Sequence, residues 1–174
     1  MDKHVLVTYA SKYGATKEIA EKICKVLSEA GISTEMMSVE QVRDIDPYQA
    51  VILGAAVYIG KWPKEAVKFL QANEQILAGR MVWLFSSGPT GEGNPVQLLE
   101  GWQMPEDVKP AVSRIHPKGI TVFHGHINPE KVNFIEKWAV KSLVKKPMGD
   151  FRDWNAITAW TTRIGEVLRS SKPA

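Results

Sequence analysis

The sequence predicts an α/β fold built on a doubly wound, five-stranded parallel sheet of order 2-1-3-4-5. Three observations predict it. Short apolar runs alternate with segments of helical periodicity along the chain. The runs at 5–7 and 50–55 lack polar alternation, as strands covered on both faces do. The connections between runs are long enough for helical crossovers, which are right-handed and impose parallel pairing.

The elements follow in order. Residues 5–9 read as the first strand, and a helix follows over 16–30, where Ile19, Ile23, Val26, Leu27 and Ala30 recur at helical spacing. Gly31 supplies the stop. The second strand, 32–39, is more polar and is expected near an edge. The third, 50–55, leads through a loop at 56–62 to Pro63, a suitable first helical residue, and a helix to about Leu70. The fourth strand is expected over 80–85, with a Gly/Pro-containing loop opening at Ser86 and a helix within 96–112. The fifth strand is expected over 119–124. Helical patterns over 129–146, an insertion after strand five, and over 154–169 complete the chain. The whole of residues 1–174 reads as a single domain, a length sufficient to bury a proper core.

Composition narrows the classes. Hydrophobic residues make up 44% and charged residues 24%, with a net charge of +3, and Lys and Arg are spread along the chain. A basic stripe of the kind that binds nucleic acid is therefore not expected. The single cysteine, Cys24, excludes an internal disulfide and suits a reducing compartment. No apolar run approaches the roughly 20 residues of a membrane span, and the start of the chain lacks a signal-peptide pattern. A cytoplasmic location is expected, either free or peripheral to the inner face of the membrane.

In a doubly wound sheet a ligand sits beyond the carboxyl ends of the strands, beside strand one. The loop after strand one reads Ser11, Lys12, Tyr13, Gly14, Ala15, Thr16. It joins a strand to a helix N-terminus, where free N–H groups and the helix dipole favour an anion such as phosphate. The same residues also suit a plain strand-helix turn with Thr16 as N-cap. A Walker loop is excluded because no Gly-Lys-Ser/Thr ending exists, and a dinucleotide fingerprint because the loop has one glycine. An acidic phospho-receiver pocket is excluded because the strand ends carry no carboxylates. After strand three, Ala56, Val57, Tyr58, Ile59 and Gly60 precede Lys61 and Trp62. Tyr58 offers a flat face for a planar ring, whereas Trp62, next to Pro63, suits a packing role. After strand four, Ser86, Ser87 and Gly88 lie closest to the sheet, and Thr90 to Gly93 divide evenly between ligand contact and mobile surface. His124 and His126 alternate and would share a face of an extended chain. No third metal ligand accompanies them, so no metal is expected, and His126 is the better candidate, as a proton donor. Cys24 falls on the apolar side of its helix and reads as an inert packed thiol.

Residues 11–20 together with 54–60 resemble the FMN-binding loops of flavodoxin-like proteins. The whole chain is similar to the branch containing menaquinone-dependent protoporphyrinogen IX dehydrogenases, through the segment after strand three, the insertion and a closing helix with an Asp153-Trp154 start. The resemblance implies a bound FMN held by Ser11 through Thr16 and Ala56 through Gly60, to which the reading of the later loops adds Ser86, Ser87, Gly88 and His126. It also implies oxidation-reduction chemistry with a quinone or small-molecule redox substrate, or with a redox protein. No catalytic nucleophile or base stands out. Three departures bear on which. Tyr13 and Ala15 stand where many flavodoxins have side-chain donors. The fourth loop lacks the ring-stacking Tyr of many electron carriers, and the chain is slightly basic where carriers are acidic. Three readings stand: an FMN-dependent, quinone-linked dehydrogenase, a non-catalytic electron carrier, and a flavin-free interaction module. The expected helix over 130–146 places Lys137, Lys141 and Lys145 opposite Val132, Ile135, Trp138, Ala139 and Leu143. Such a helix serves either to pack on the domain or to touch an anionic membrane surface.

Overall fold

The computed structural model describes residues 4–130 and 147–171. Five parallel strands form one sheet in the order β2-β1-β3-β4-β5. They are β1 (His4–Ala10), β2 (Ser33–Ser38), β3 (Ala50–Ala56), β4 (Met81–Ser87) and β5 (Gly119–Phe123). The helices are α1 (Ala15–Glu29), α2 (Lys64–Ala72), α3 (Glu74–Leu77), α4 (Pro95–Leu98), α5 (Lys109–Ile115) and α6 (Trp154–Ser170). A short antiparallel pair, β6 (His126–Ile127) and β7 (Gly149–Asp150), lies outside the main sheet.

Strand burial follows position. Every residue of β3, in mid-sheet, is buried, whereas β2 at the edge alternates between exposed and half-buried residues. The sheet separates two apolar layers. On one face Leu6, Val51, Leu53 and Leu84 pack against Ala66, Phe69 and Leu70 of α2 and against Ala111, Val112 and Ile115 of α5. On the other, Val5, Val7, Ile52 and Phe85 meet Ile19, Ile23 and Leu27 of α1 and Ile157, Trp160, Ile164 and Leu168 of α6. The two periods explain the division: strand side chains alternate between faces, and the apolar stripe of each helix recurs every three to four residues.

Helix ends carry their own signals. After α1 the N–H of Ile32 bonds the carbonyl of Leu27 and that of Gly31 bonds Ser28, both at 3.0 Å, a reciprocal C-terminal closure that satisfies two orphan carbonyls. Asp153 caps α6 by accepting from Ala156 N at 3.0 Å. Cys24 packs at the edge of the second layer, and burial pushes its thiol up to about 11. The thiolate is the reactive form. At pH 8 iodoacetamide is therefore expected to alkylate Cys24 at least tenfold more slowly in folded protein than in urea, a difference that mass spectrometry reads directly.

Several boundaries differ from expectation. β4 runs on through Ser86 and Ser87, because these residues continue the register with Ala55 and Ala56 on one side and Val122 and Phe123 on the other. The helix expected within 96–112 is instead a one-turn α4, a 3₁₀ turn (Glu106–Val108) and α5. Positive φ at Glu100 and Gly101 and the extended backbone of Pro105 interrupt it. β5 stops at Phe123, so His124 lies beyond the strand. Pro63 caps α2 rather than opening it. Of the helix expected over 130–146, Glu130 lies in a turn and residues 131–146 are outside the described residues. Among the described residues, no helix is long and apolar enough to cross a membrane.

Candidate functional site

The loops after β1, β3, β4 and β5 converge at the carboxyl edge of the sheet. Gly14 caps α1 in the left-handed region, φ 91°, with no side-chain cap bond. The first-turn N–H groups of a helix have no intrahelical partner, so here they are available to an outside anion. Ser11 Oγ accepts from Gly14 N at 3.1 Å, which fixes the loop and leaves the hydroxyl proton of Ser11 free to donate outward. Thr16 is not the N-cap; it is buried in the first turn, and its Oγ1 lies 2.8 Å from Ser87 Oγ. Whichever hydroxyl donates in that pair, the other keeps its proton for a further acceptor. Lys12 Nζ sits 5.1 Å from the centroid of the Tyr13 ring, which keeps a cation beside the loop.

The loop after β3 makes a two-residue turn. Tyr58 N bonds Lys61 O at 2.8 Å and Lys61 N bonds Tyr58 O at 3.0 Å. Ile59 and Gly60 carry positive φ of 50° and 70°. That geometry suits Asn-Gly and is strained for a β-branched residue. Ile59 is also 79% exposed. Replacing Ile59 with Asn is therefore expected to stabilise the protein by about 1 kcal/mol, read as a higher urea midpoint at unchanged slope. Tyr58 is 38% exposed and meets Tyr13 edge-on at 6.2 Å, so two aromatic rings flank the mouth between the phosphate-type loop and this turn. Val57 is buried, its N–H bonded to Ser87 O at 2.9 Å, and Ala56 ends β3.

The two serines of β4 divide between faces. Ser87 turns to Thr16. Ser86 accepts from Trp62 Nε1 and donates to Gln103 O, each at 2.9 Å, so its hydroxyl is committed to the fold and Trp62 to the core. Beyond β4, a Cβ on Gly125 would lie 2.8 Å from Gly88 Cα, and one on Gly88 would lie 2.9 Å from Val57 Cβ. The loops after β3, β4 and β5 therefore touch through backbone. His124 holds the fourth loop from below, with Nδ1 3.1 Å from Pro89 O and Nε2 2.6 Å from Gly93 O. His126 faces elsewhere: its Nδ1 is 3.3 Å from Arg152 Nη2. The two histidines thus do not share a face, because the chain leaves the strand between them. Among the described residues no group of three His, Cys, Asp or Glu side chains could hold a metal.

Thr90, which the sequence divides evenly between ligand contact and mobile surface, is buried, and among the described residues its Oγ1 has no hydrogen-bond partner. A buried hydroxyl without a partner carries a cost that a ligand acceptor or donor at this edge would remove. Arg152 binds across 134 residues to Glu18, a separation no local pattern reveals. Its fork holds the Asp150 carboxyl below the usual aspartate value. That stabilisation is complete above the ordinary aspartate range and disappears as pH falls through the lowered value.

FMN has a phosphate, a polyhydroxyl chain and a planar ring, and the residues present fit each part. Uncapped N–H groups at α1 with Ser11 and Thr16 suit the phosphate, Tyr58 and Tyr13 suit the ring, and the orphan Thr90 hydroxyl suits a polar edge. The mouth continues into a cleft of about 440 Å³ lined in part by Ser11, Lys12, Tyr58 and Glu65.

Comparison with known proteins agrees with this architecture. Residues 6–153 match the model of a flavodoxin domain family. No curated protein sequence matches significantly. Among solved structures, a flavodoxin from the domain Archaea is similar over 95% of this chain and 99% of its own, with TM-score 0.60 at 14% identity. Oxidised flavodoxin 1 from Bacillus cereus gives TM-score 0.60 at 16% identity, covering 98% of this chain and all 100% of that one. The rubredoxin oxygen:oxidoreductase of Desulfovibrio gigas gives TM-score 0.63 at 14% identity over 97% of this chain, which spans 37% of that protein.

Proposed function

Because this chain belongs to the flavodoxin domain family, whose members bind FMN, we propose that it is an FMN-dependent oxidoreductase that passes electrons to a small-molecule acceptor of the quinone class. When bound, FMN supplies one- and two-electron transfer at its ring. The protein's part is to hold and enclose it. The N-terminus of α1, with Ser11, Lys12, Gly14 and Thr16, would take the phosphate. Tyr58, supported edge-on by Tyr13, would cover the ring, and the 86–93 loop would close its polar edge. His126, half-buried, has its Nδ1 turned to Arg152.

The observation that carries the FMN assignment is the uncapped, left-handed start of α1 beside the Thr16–Ser87 hydroxyl pair. A small-molecule acceptor is favoured over a carrier protein by the net charge of +3. Docking of acidic carriers relies on complementary charge, and this chain lacks that acidity. The helix expected from the sequence over 130–146, of which 131–146 are outside the described residues, would add Lys137, Lys141 and Lys145 on one side. Changing those three to Glu is expected to reduce sedimentation with anionic vesicles at least fivefold at low salt, and an unchanged fraction would remove the membrane-contact reading.

The test is the visible spectrum after incubation with FMN and gel filtration. A retained flavin band supports the reading. The reduced protein should then be reoxidised faster by a soluble quinone than by a small electron-carrier protein. The reverse order favours the carrier function, and a colourless protein removes both.

A further inference from the structure

Arg152 has an arrangement that cofactor binding alone does not require. Its side chain is 4% exposed. Nε and Nη2 fork onto Asp150 Oδ1 and Oδ2 at 2.8 and 2.7 Å. Nη1 donates to Ala15 O at 3.2 Å and to the Glu18 carboxylate. Nη2 also faces His126 Nδ1, and the guanidinium lies 4.7 Å from the Trp154 ring. One cation thus ties β6 and β7, which bracket residues 128–148, to the first turn of α1.

Glu18 is the acidic side chain of that first turn. A carboxylate there is stabilised by the same N–H groups and dipole that would hold a phosphate. The two anions compete for one positive potential and repel each other. We propose that Arg152 is a positioning residue for the cofactor phosphate: it holds Glu18 in an ion pair at the start of α1 and fastens the β6–β7 pair onto that helix. The inference rests on the FMN assignment above. A guanidinium suits the task because its planar fork binds two carboxylates and a carbonyl at once and stays charged at every working pH. Lysine would supply the charge without the fork.

Riboflavin separates this role from a merely structural one, since it has the ring and ribityl chain of FMN without the phosphate. Affinities for both flavins are measured by fluorescence quenching at low salt. In Arg152→Met the affinity for FMN is expected to fall about tenfold, while riboflavin affinity stays within twofold of the original protein. Adding Glu18→Gln to that variant should restore most of the FMN affinity, and the Arg152→Met deficit should shrink in half-molar salt. Equal losses for both flavins, or no recovery in the double variant, overturn the proposal. Should Arg152→Met fail to fold, Glu18→Gln alone carries the test. It is expected to raise the FMN-to-riboflavin affinity ratio at least twofold, and a ratio that stays or falls overturns the masking role. An unaltered protein that binds neither flavin defeats the FMN assignment itself. Tight binding of FMN with a ratio indifferent to Arg152 and Glu18 defeats only this inference.

Discussion

Gly14→Val is expected to lower FMN affinity at least a hundredfold while leaving the sheet intact. Gly14 sits at φ 91°, where an L-residue costs roughly 1–2 kcal/mol and a β-branched one more. The chain can relieve that strain by rotating the 13–15 backbone. Rotation would turn the first N–H groups of α1 away from a common point and break the Gly14 N to Ser11 Oγ bond. It would also bring a branched side chain to the place where an anion must approach backbone. Both effects fall on the phosphate and not on the apolar layers, so the far-ultraviolet dichroism should not change and the melting temperature should fall by roughly 2–8 °C. Gly14→Asn is the graded control, because Asn visits the left-handed region more readily. Its loss should be intermediate. Affinity of Gly14→Val within threefold of the original protein would mean that the phosphate is held elsewhere.

Much of the architecture was legible in the chain, for identifiable reasons. The run from Ala50 to Ala55 has no polar residue, and only a strand covered on both faces tolerates that, so β3 could be placed in mid-sheet. The turn at Gly14 was legible because strand, glycine and helix follow in eleven residues. The end of β4 was not, since Ser86 and Ser87 look like loop residues and become strand only through register with β3 and β5. The helix expected within 96–112 is broken up, because Glu100 and Gly101 take positive φ and Pro105 an extended backbone. Within the site, contacts that depend on distant residues were hidden. Thr16 reads as a cap until Ser87, 71 residues away, supplies a hydroxyl. Ser86 reads as a ligand donor until Trp62 and Gln103 occupy it. His126 reads as a partner of His124 until the backbone parts them. Local pattern reports which groups a loop carries; tertiary contact decides which of them remain for a ligand.

Gly54 is the position where fold and site depend on the same missing atom. A Cβ there would lie 2.0 Å from Phe85 Cζ and within 2.5 Å of both Cε atoms. The ring cannot withdraw, because it is fully buried and packed 5.7 Å from Phe123 and 6.0 Å from Trp160, centroid to centroid. Overpacking of a well-filled core costs roughly 1–3 kcal/mol and sometimes more. Contact this deep inside the van der Waals distance puts Gly54→Ala at about 3 kcal/mol or above, which for a chain of this size lowers the melting temperature by roughly 6–12 °C. Phe85→Leu alone removes ring contacts and should also destabilise. Together the two changes should cost less than Gly54→Ala alone, because the shorter side chain vacates the space the new methyl needs. That non-additivity is the signature of direct contact, and independent losses would refute it. FMN affinity should follow the same pattern. Gly54 lies in the strand that delivers Val57 to Gly60 to the mouth of the site, so displacing β3 from β4 displaces the Tyr58 turn with it. The compensated pair should bind FMN more tightly than Gly54→Ala even though neither altered side chain touches the cofactor.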